Sequence, residues 1–297
     1  LELVREHRPP IIVFGKSMFL HPEPVKPLRE LVDATPDYRP VIMYDGAHVM
    51  GILGPGFQDP LAEGADVVTG STHKTFFGPQ RGIIAGRLPK GSPMRKLWLE
   101  VNARSFPGST SNHHLGTLLA MLAATLEMNH FKAEYQAAVL ANARAFAAAC
   151  HAAGIPVEGG EADGFTRTHQ VVIRVKPFGD GKEIAARLEA NNIITNYQAL
   201  PDDETFYHPS GIRMGVSEMT RFGMEPADFT ELARLLADVI IRKKDAAGDV
   251  AAFRGKFTRM RYCLDAEATM RIAPAVFASV FPEVPYFQSF AEALRKV

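Results

Sequence analysis

The sequence predicts an α/β fold: a mainly parallel sheet first, then a smaller α+β domain. Three features carry that expectation. Short continuous apolar runs alternate with helical segments up to residue 112, an alanine- and leucine-rich stretch follows His113, and strand–helix alternation returns beyond Gly164. Strands separated by helical segments are the pattern of βαβ units, whose crossovers build parallel sheets.

Ile11–Phe14 (IIVF) reads as a strand buried on both faces, because it is apolar throughout rather than alternating. Pro22–Ala34 has prolines at its start and helical spacing after them. Val41–Tyr44 (VIMY) is a second buried strand ending at Asp45, and Val67–Thr69 and Gly82–Ala85 are two more. Leu115–Met128 and Ala133–Ala153 have helical periodicity, and Gly154 is the expected stop signal. After a turn-rich break at Gly159–Gly164 come a strand at His169–Val175, a helix at Gly181–Asn191 and strands at Ile193–Asn196 and Gly211–Val216. An amphipathic helix over Glu225–Lys244 closes this part, and the tail reads as further helices with an aromatic stretch at Phe281–Phe290. The expected organisation is residues 1–125 in the sheet domain, 126–243 in the small α+β domain and 244–297 as a helical extension.

The bulk composition narrows the function. The 297 residues suit about two domains. Lys+Arg and Asp+Glu number 33 each, so no global basic field favours nucleic acid or an anionic membrane. No apolar run approaches the ~18 residues of a membrane span. The two cysteines, Cys150 and Cys263, are far apart, which excludes a disulfide framework or a cysteine zinc site and suits a reducing cytoplasm. The adjacent His113 and His114 lack an acidic partner at ligand spacing, so no metal is expected there. The basic run Arg254–Arg261 reads as a solvated helix face. The chain opens on LELVREHRPPIIVFGK, with neither an initiator methionine nor a signal-peptide layout, as if entered in mid-fold. An upstream part is therefore expected to be absent from this chain.

The chemistry concentrates around Lys74, in "VVTGSTHKTFFGPQRG". A lysine turns nucleophilic when its ammonium is desolvated or flanked by positive charge. Here an apolar strand ends in Ser71, Thr72 and His73, and Gly78-Pro79 turns the chain just beyond, so a confined site is expected. An aldehyde cofactor is the natural partner of such an amine. Pyridoxal phosphate needs a Schiff-base lysine, a carboxylate on its pyridinium nitrogen and donors for its phosphate. Asp45 in "YDGAHV" ends a buried strand, where open α/β sheets bind ligands, and His48 reaches the same region.

"DGAHVMG" followed by "STHKTFFGPQRG" resembles the serine hydroxymethyltransferase family of fold-type-I pyridoxal-phosphate enzymes, which includes threonine transaldolase-like relatives. The family reads D-x-A-H-x-x-G and then T-T-T-H-K-T-x-x-G-P. "SGIRMG" at 210–215 is similar to its S-G-I-R-x-G. The resemblance runs from about residue 1 to about residue 243. It implies that Lys74 carries the cofactor covalently and that Asp45 pairs with the pyridine nitrogen. It sets His48 at the phenolate edge with Ser17 nearby, and Ser71, Thr72 and His73 along the lysine side. It gives Arg213 the amino-acid carboxylate, as a planar guanidinium fork allows. It also implies a homodimer with shared active sites and cleavage or formation of the Cα–Cβ bond of a β-hydroxy amino acid. Serine, glycine or threonine would be the substrate, and an aldehyde or a pterin the acceptor.

The departures are specific. Gln80 and Arg81 stand where the family has arginine then glycine, and Ser111-Asn112 stands for a Gly-Gly pair that meets the neighbouring subunit's phosphate. "NYQALPDDE" replaces an Asn-rich folate loop, leaving Asn196 and Gln198 as polar contacts, so tetrahydrofolate as acceptor stays open. The family's catalytic glutamate, substrate-contacting tyrosines, ring-stacking histidine and main phosphate loop all precede the equivalent of residue 1. The alternatives are therefore a threonine aldolase or transaldolase type that does not use folate, and a catalytically incompetent homologue.

Overall fold

A computed structural model describes residues 1–87, 91–92, 94–112 and 114–272. His113 and the stretch Phe281–Phe290 lie outside the described residues. Residues Leu1–Arg261 form one compact unit and Tyr262–Val297 a second.

The first unit begins with α1 (Glu2–His7), β1 (Ile11–Phe14), α2 (Val25–Asp33), β2 (Val41–Asp45), the short α3 (Pro60–Glu63), β3 (Val67–His73) and β4 (Phe77–Gly86). The four strands form one sheet in the order β1-β2-β3-β4. β1 pairs parallel to β2 and β2 parallel to β3, whereas β3 and β4 are antiparallel. Only Lys74, Thr75 and Phe76 separate β3 from β4, and a link that short closes a hairpin but cannot make a crossover. The mainly parallel sheet is as expected.

One strand is less buried than its composition suggests. Ile11 and Val13 are 57% and 58% exposed, so β1 is an edge strand with one open face among the described residues. An all-apolar run signals burial on two faces only when elements cover both.

Next come α4 (Arg95–Ala103) and α5 (Leu115–Ala152). The two expected helices are one continuous 38-residue helix, about 57 Å long at ~1.5 Å per residue. The intervening Asn129, His130, Phe131 and Lys132 include no proline or glycine, and weak propensity alone is overridden where packing continues on both sides. Met128 and Tyr135 are both buried. The helix stops at Ala153, and Gly154 follows at φ +87°, a left-handed backbone that favours glycine.

The second sheet is antiparallel, in the order β5 (Gln170–Arg174), β7 (Gly211–Gly215), β6 (Asn196–Gln198). α6 (Gly181–Ala190), α7 (Ser217–Arg221), α8 (Pro226–Ile240) and α9 (Ala247–Arg254) complete the unit. The strand expected at Ile193–Asn196 starts only at Asn196, because Ile194 is 87% exposed and has no face to bury. The basic run past Arg254 is not a helix face. Arg254 lies over the Phe222 ring at 4.7 Å and Arg261 pairs with Glu225 at 3.3 Å. Cys150 and Cys263 are not joined in a disulfide, and burial pushes the Cys150 thiol up to about 12.

The long helix ties the two sheets together. Tyr135 donates its hydroxyl to the Thr75 carbonyl at 2.8 Å, beside the first sheet. Farther along, Asn142 donates to Thr220 Oγ1 and to the Met224 carbonyl, both at 2.9 Å, and the Phe146 and Phe229 rings sit 5.4 Å apart.

Candidate active site

The carboxyl ends of β2 and β3 lie on one edge of the sheet, since these strands are parallel and Asp45 is in register with Thr69. That edge sets Asp45 beside the hairpin turn holding Lys74. The turn is fixed from three sides. Thr72 Oγ1 donates to the Pro79 carbonyl at 2.6 Å and accepts the Arg81 N–H at 3.1 Å. Thr75 Oγ1 accepts the Gly51 N–H at 2.9 Å and donates to the His48 carbonyl at 3.1 Å. Tyr135 holds the Thr75 carbonyl, and its ring packs edge-on against Phe77 at 5.0 Å.

Most of the hydroxyls around the lysine are therefore scaffold. Thr72 is fully buried inside the hairpin and does not line the lysine side, contrary to the expectation. Ser71 does reach it, with Lys74 Nζ 3.4 Å from Ser71 Oγ.

Two cavities meet at this turn. The smaller, about 230 Å³, is lined by Gly15, Ser17, Asp45, His48 and Lys74 among others. The larger, about 740 Å³, is lined by His48, His73, Lys74, His169, Gln170 and Arg213 among others. His48 and Lys74 belong to both walls. Gly15 has φ +122°, and a Cβ there would lie 2.4 Å from the Asp45 carbonyl oxygen, so only glycine lets the chain pass so close. Asp45 Oδ1 accepts the Ala47 N–H at 3.0 Å, so this carboxylate serves as a turn former while facing the smaller cavity.

Lys74 is exposed in this chain, not dry as the sequence suggested. It sits on a tight turn at the mouth of the cavities, and a turn leaves its side chain covered only by elements that come from elsewhere. Ser111 and Asn112 are exposed and line neither of the two cavities at Lys74. Asn112 lines a separate cavity of about 540 Å³ with Gln80 and Arg81. Arg81 spends its guanidinium on Thr117 Oγ1 and the His114 carbonyl, both at 2.9 Å, where α5 starts. Among the described residues no group of acidic, histidine and cysteine side chains could hold a metal ion, and no helix is long and apolar enough to cross a membrane.

Arg213, on the central strand of the second sheet, donates through NH1 to the Ser17 carbonyl at 3.1 Å and to Gln198 Oε1 at 3.3 Å. Desolvation lowers its pKa, and no carboxylate offsets that cost among the described residues. Burial, then Lys74 and Arg213, push His48 down to about 4 against a weaker opposing pull from Asp45. Burial, then His48 and Arg213, push His169 down to about 3. Both imidazoles are neutral near neutrality. A histidine whose folded pKa lies below its ordinary 6.5 adds stability above that value and loses it as pH falls, because the unfolded chain takes up the proton first. Urea denaturation is expected to show a loss of roughly 2–3 kcal/mol between pH 7 and pH 5, about 2 kcal/mol of it from the buried His169 and less from the half-exposed His48, so His169→Gln is expected to remove more than half of it.

His169 and Gln170 are the residues that sequence reasoning missed. Their only signal is a polar pair opening an apolar strand, "THQVVIRV". Gly51 is a third, since a Cβ there would lie 2.2 Å from the carbonyl carbon and oxygen of Thr75. Gly51→Ala is expected to cost about 1–3 kcal/mol by overpacking, read as a lower denaturation midpoint, and to displace the Lys74 turn.

Comparison with known proteins places the chain in a family. Residues 2–236 match the family described as serine hydroxymethyltransferase. A serine hydroxymethyltransferase of Nitrosopumilus maritimus is 42% identical over 273 residues, covering 89% of this chain and 60% of that protein. One from Methanothermobacter thermautotrophicus is 45% identical over 269 residues, covering 89% and 61%. The chain thus spans about 60% of the length of the curated relatives it matches. Among solved structures, an L-threonine transaldolase from Pseudomonas fluorescens, in its internal aldimine state, superposes with a TM-score of 0.79 at 32% identity. That match covers 93% of this chain and 62% of the other, and bears out the fold-type-I expectation. With the family match running across both sheets and the Lys74 turn of the first, the chain belongs to the serine hydroxymethyltransferase family.

Proposed function

We propose that the protein carrying this chain makes and breaks the Cα–Cβ bond of a β-hydroxy amino acid with pyridoxal phosphate, serine/glycine interconversion being the lead. One observation carries the reading. Lys74, Asp45 and His48 share one small cavity, and Arg213, a desolvated cation without a counter-ion among the described residues, lines the cavity next to it.

The donor set fits the cofactor: an amine, a carboxylate and a neutral imidazole around about 230 Å³. Bound there, pyridoxal phosphate supplies an electron sink for charge developing at Cα. Lys74 would hold it covalently through its amine. Asp45 would pair with its pyridine nitrogen. Ser17 and His48 would border its phenolate edge, and Ser71 and His73 would flank the lysine. Arg213 would offer its guanidinium to the substrate carboxylate, which would give that half-buried cation the counter-charge it lacks among the described residues. Ser111 and Asn112 would face a second copy's cofactor phosphate in a homodimer with shared sites. A cytoplasmic location fits two cysteines that are not joined in a disulfide.

Threonine cleavage or transaldolation without folate is the second reading, favoured by the transaldolase likeness and by Gln198, which turns inward to bond Arg213. The whole protein, incubated with serine plus tetrahydrofolate or with threonine plus a second aldehyde, separates the two. Turnover of the first pair supports the lead. Turnover of the second pair alone removes it, and a colourless protein unresponsive to glycine removes both.

A further inference from the structure

Gln170 opens β5, 2% exposed, and its side-chain amide reaches three groups. Oε1 accepts the main-chain N–H of Phe19 at 2.8 Å. Nε2 lies 3.0 Å from the Ser17 carbonyl and 3.3 Å from His48 Nδ1. The first two contacts leave no choice of orientation. A main-chain N–H only donates and a carbonyl only accepts, so the oxygen must face Phe19 and the NH₂ must face Ser17 and His48. The second amide proton then points at His48 Nδ1, which accepts it only through a lone pair. The ring proton of neutral His48 is thereby assigned to Nε2.

We propose that Gln170 is a positioning residue that locks His48 in the Nε2–H tautomer, so that His48 presents a neutral hydrogen-bond donor to an anionic oxygen of the group bound between Asp45 and Lys74. The identity of that oxygen rests on the function proposed above; the tautomer does not. The two sites are distant in sequence, 122 residues apart, and the contact forms only because the second sheet docks its first residue against the loop after β1. The surroundings of His48 are consistent with a neutral ring. Lys74 and Arg213 both disfavour a second proton, His169 is itself uncharged, and Asp45 pulls the other way less strongly. An unlocked His48 would divide between two tautomers, one of which turns a lone pair toward the anion and repels it.

The test is nitrogen NMR of the imidazoles in the whole protein, with and without pyridoxal phosphate. His48→Gln identifies the His48 signals among the 10 histidines. In wild type, His48 is expected as a single species with pyridine-type Nδ1 and pyrrole-type Nε2 before the cofactor is added. Gln170→Glu keeps an acceptor for Phe19 but replaces the donor with a carboxylate, so the proton is expected to move to Nδ1 or to both nitrogens. Gln170→Leu removes the donor without adding charge and is expected to give a mixture of tautomers. A wild-type ring protonated on Nδ1, a wild-type mixture, or an unchanged tautomer in the variants overturns the proposal. The visible spectrum is read in parallel. Loss of the cofactor reading with the tautomer intact would sink the function and leave the lock standing, and the reverse result would do the opposite.

Discussion

Lys74→Ala is expected to abolish covalent attachment of pyridoxal phosphate, read as loss of the added mass after borohydride reduction and loss of the visible absorption band. Turnover is expected to fall by on the order of 10³-fold or more, since the nucleophile that exchanges with substrate is gone. The fold should survive the change. Lys74 is exposed, its ammonium reaches Ser71 Oγ only at 3.4 Å, and the turn around it is held by Thr72, Thr75 and Tyr135 rather than by the lysine. A normal denaturation midpoint with no covalent cofactor would therefore separate chemistry from folding. Retention of the same adduct by the alanine variant would assign the linkage to a different amine.

That separation also explains why the lysine was legible while its environment was not. Asp45, His48 and Lys74 follow the ends of adjacent parallel strands, and local sequence records strand ends as a change from apolar to small polar residues. The site's inner supports come from long range. Gln170 meets Phe19 across 151 positions and Tyr135 meets Thr75 across 60, and neither pairing leaves a local pattern. The resemblance set Thr72 along the lysine side, but Thr72 and its neighbour Thr75 are consumed by backbone groups of the hairpin and of the turn at Gly51. Burial was misjudged for the same reason at β1. Apolar composition states what a strand prefers, and packing partners decide whether Ile11 and Val13 obtain it. The helix α5 is the opposite case, where long-range packing on both sides of residues 129–132 overrode a local weakness.

Arg213→Ala should raise the KM for the amino-acid substrate by about 10²–10³-fold, the scale of losing a charge-assisted pair in a partly desolvated site. Arg213→Lys should recover only part of this, because an ammonium restores charge without the planar fork. The fork is set before any ligand arrives. NH1 is committed to Ser17 and Gln198, which orients the plane of the guanidinium toward its remaining donors. Stability should barely change in the alanine variant, or rise slightly, because the side chain removed is a partly desolvated cation with no carboxylate to compensate it among the described residues. Affinity lost without stability lost is the signature of a residue held for a ligand, since a structural arginine forfeits both together. Glycine titrations of the cofactor band, set beside urea denaturation of the same preparations, measure the two quantities. An unchanged glycine response in Arg213→Ala would remove the proposed carboxylate assignment while leaving those of Lys74 and Asp45 untouched, because Arg213 lines the larger cavity and Asp45 the smaller, and the two share only His48 and Lys74.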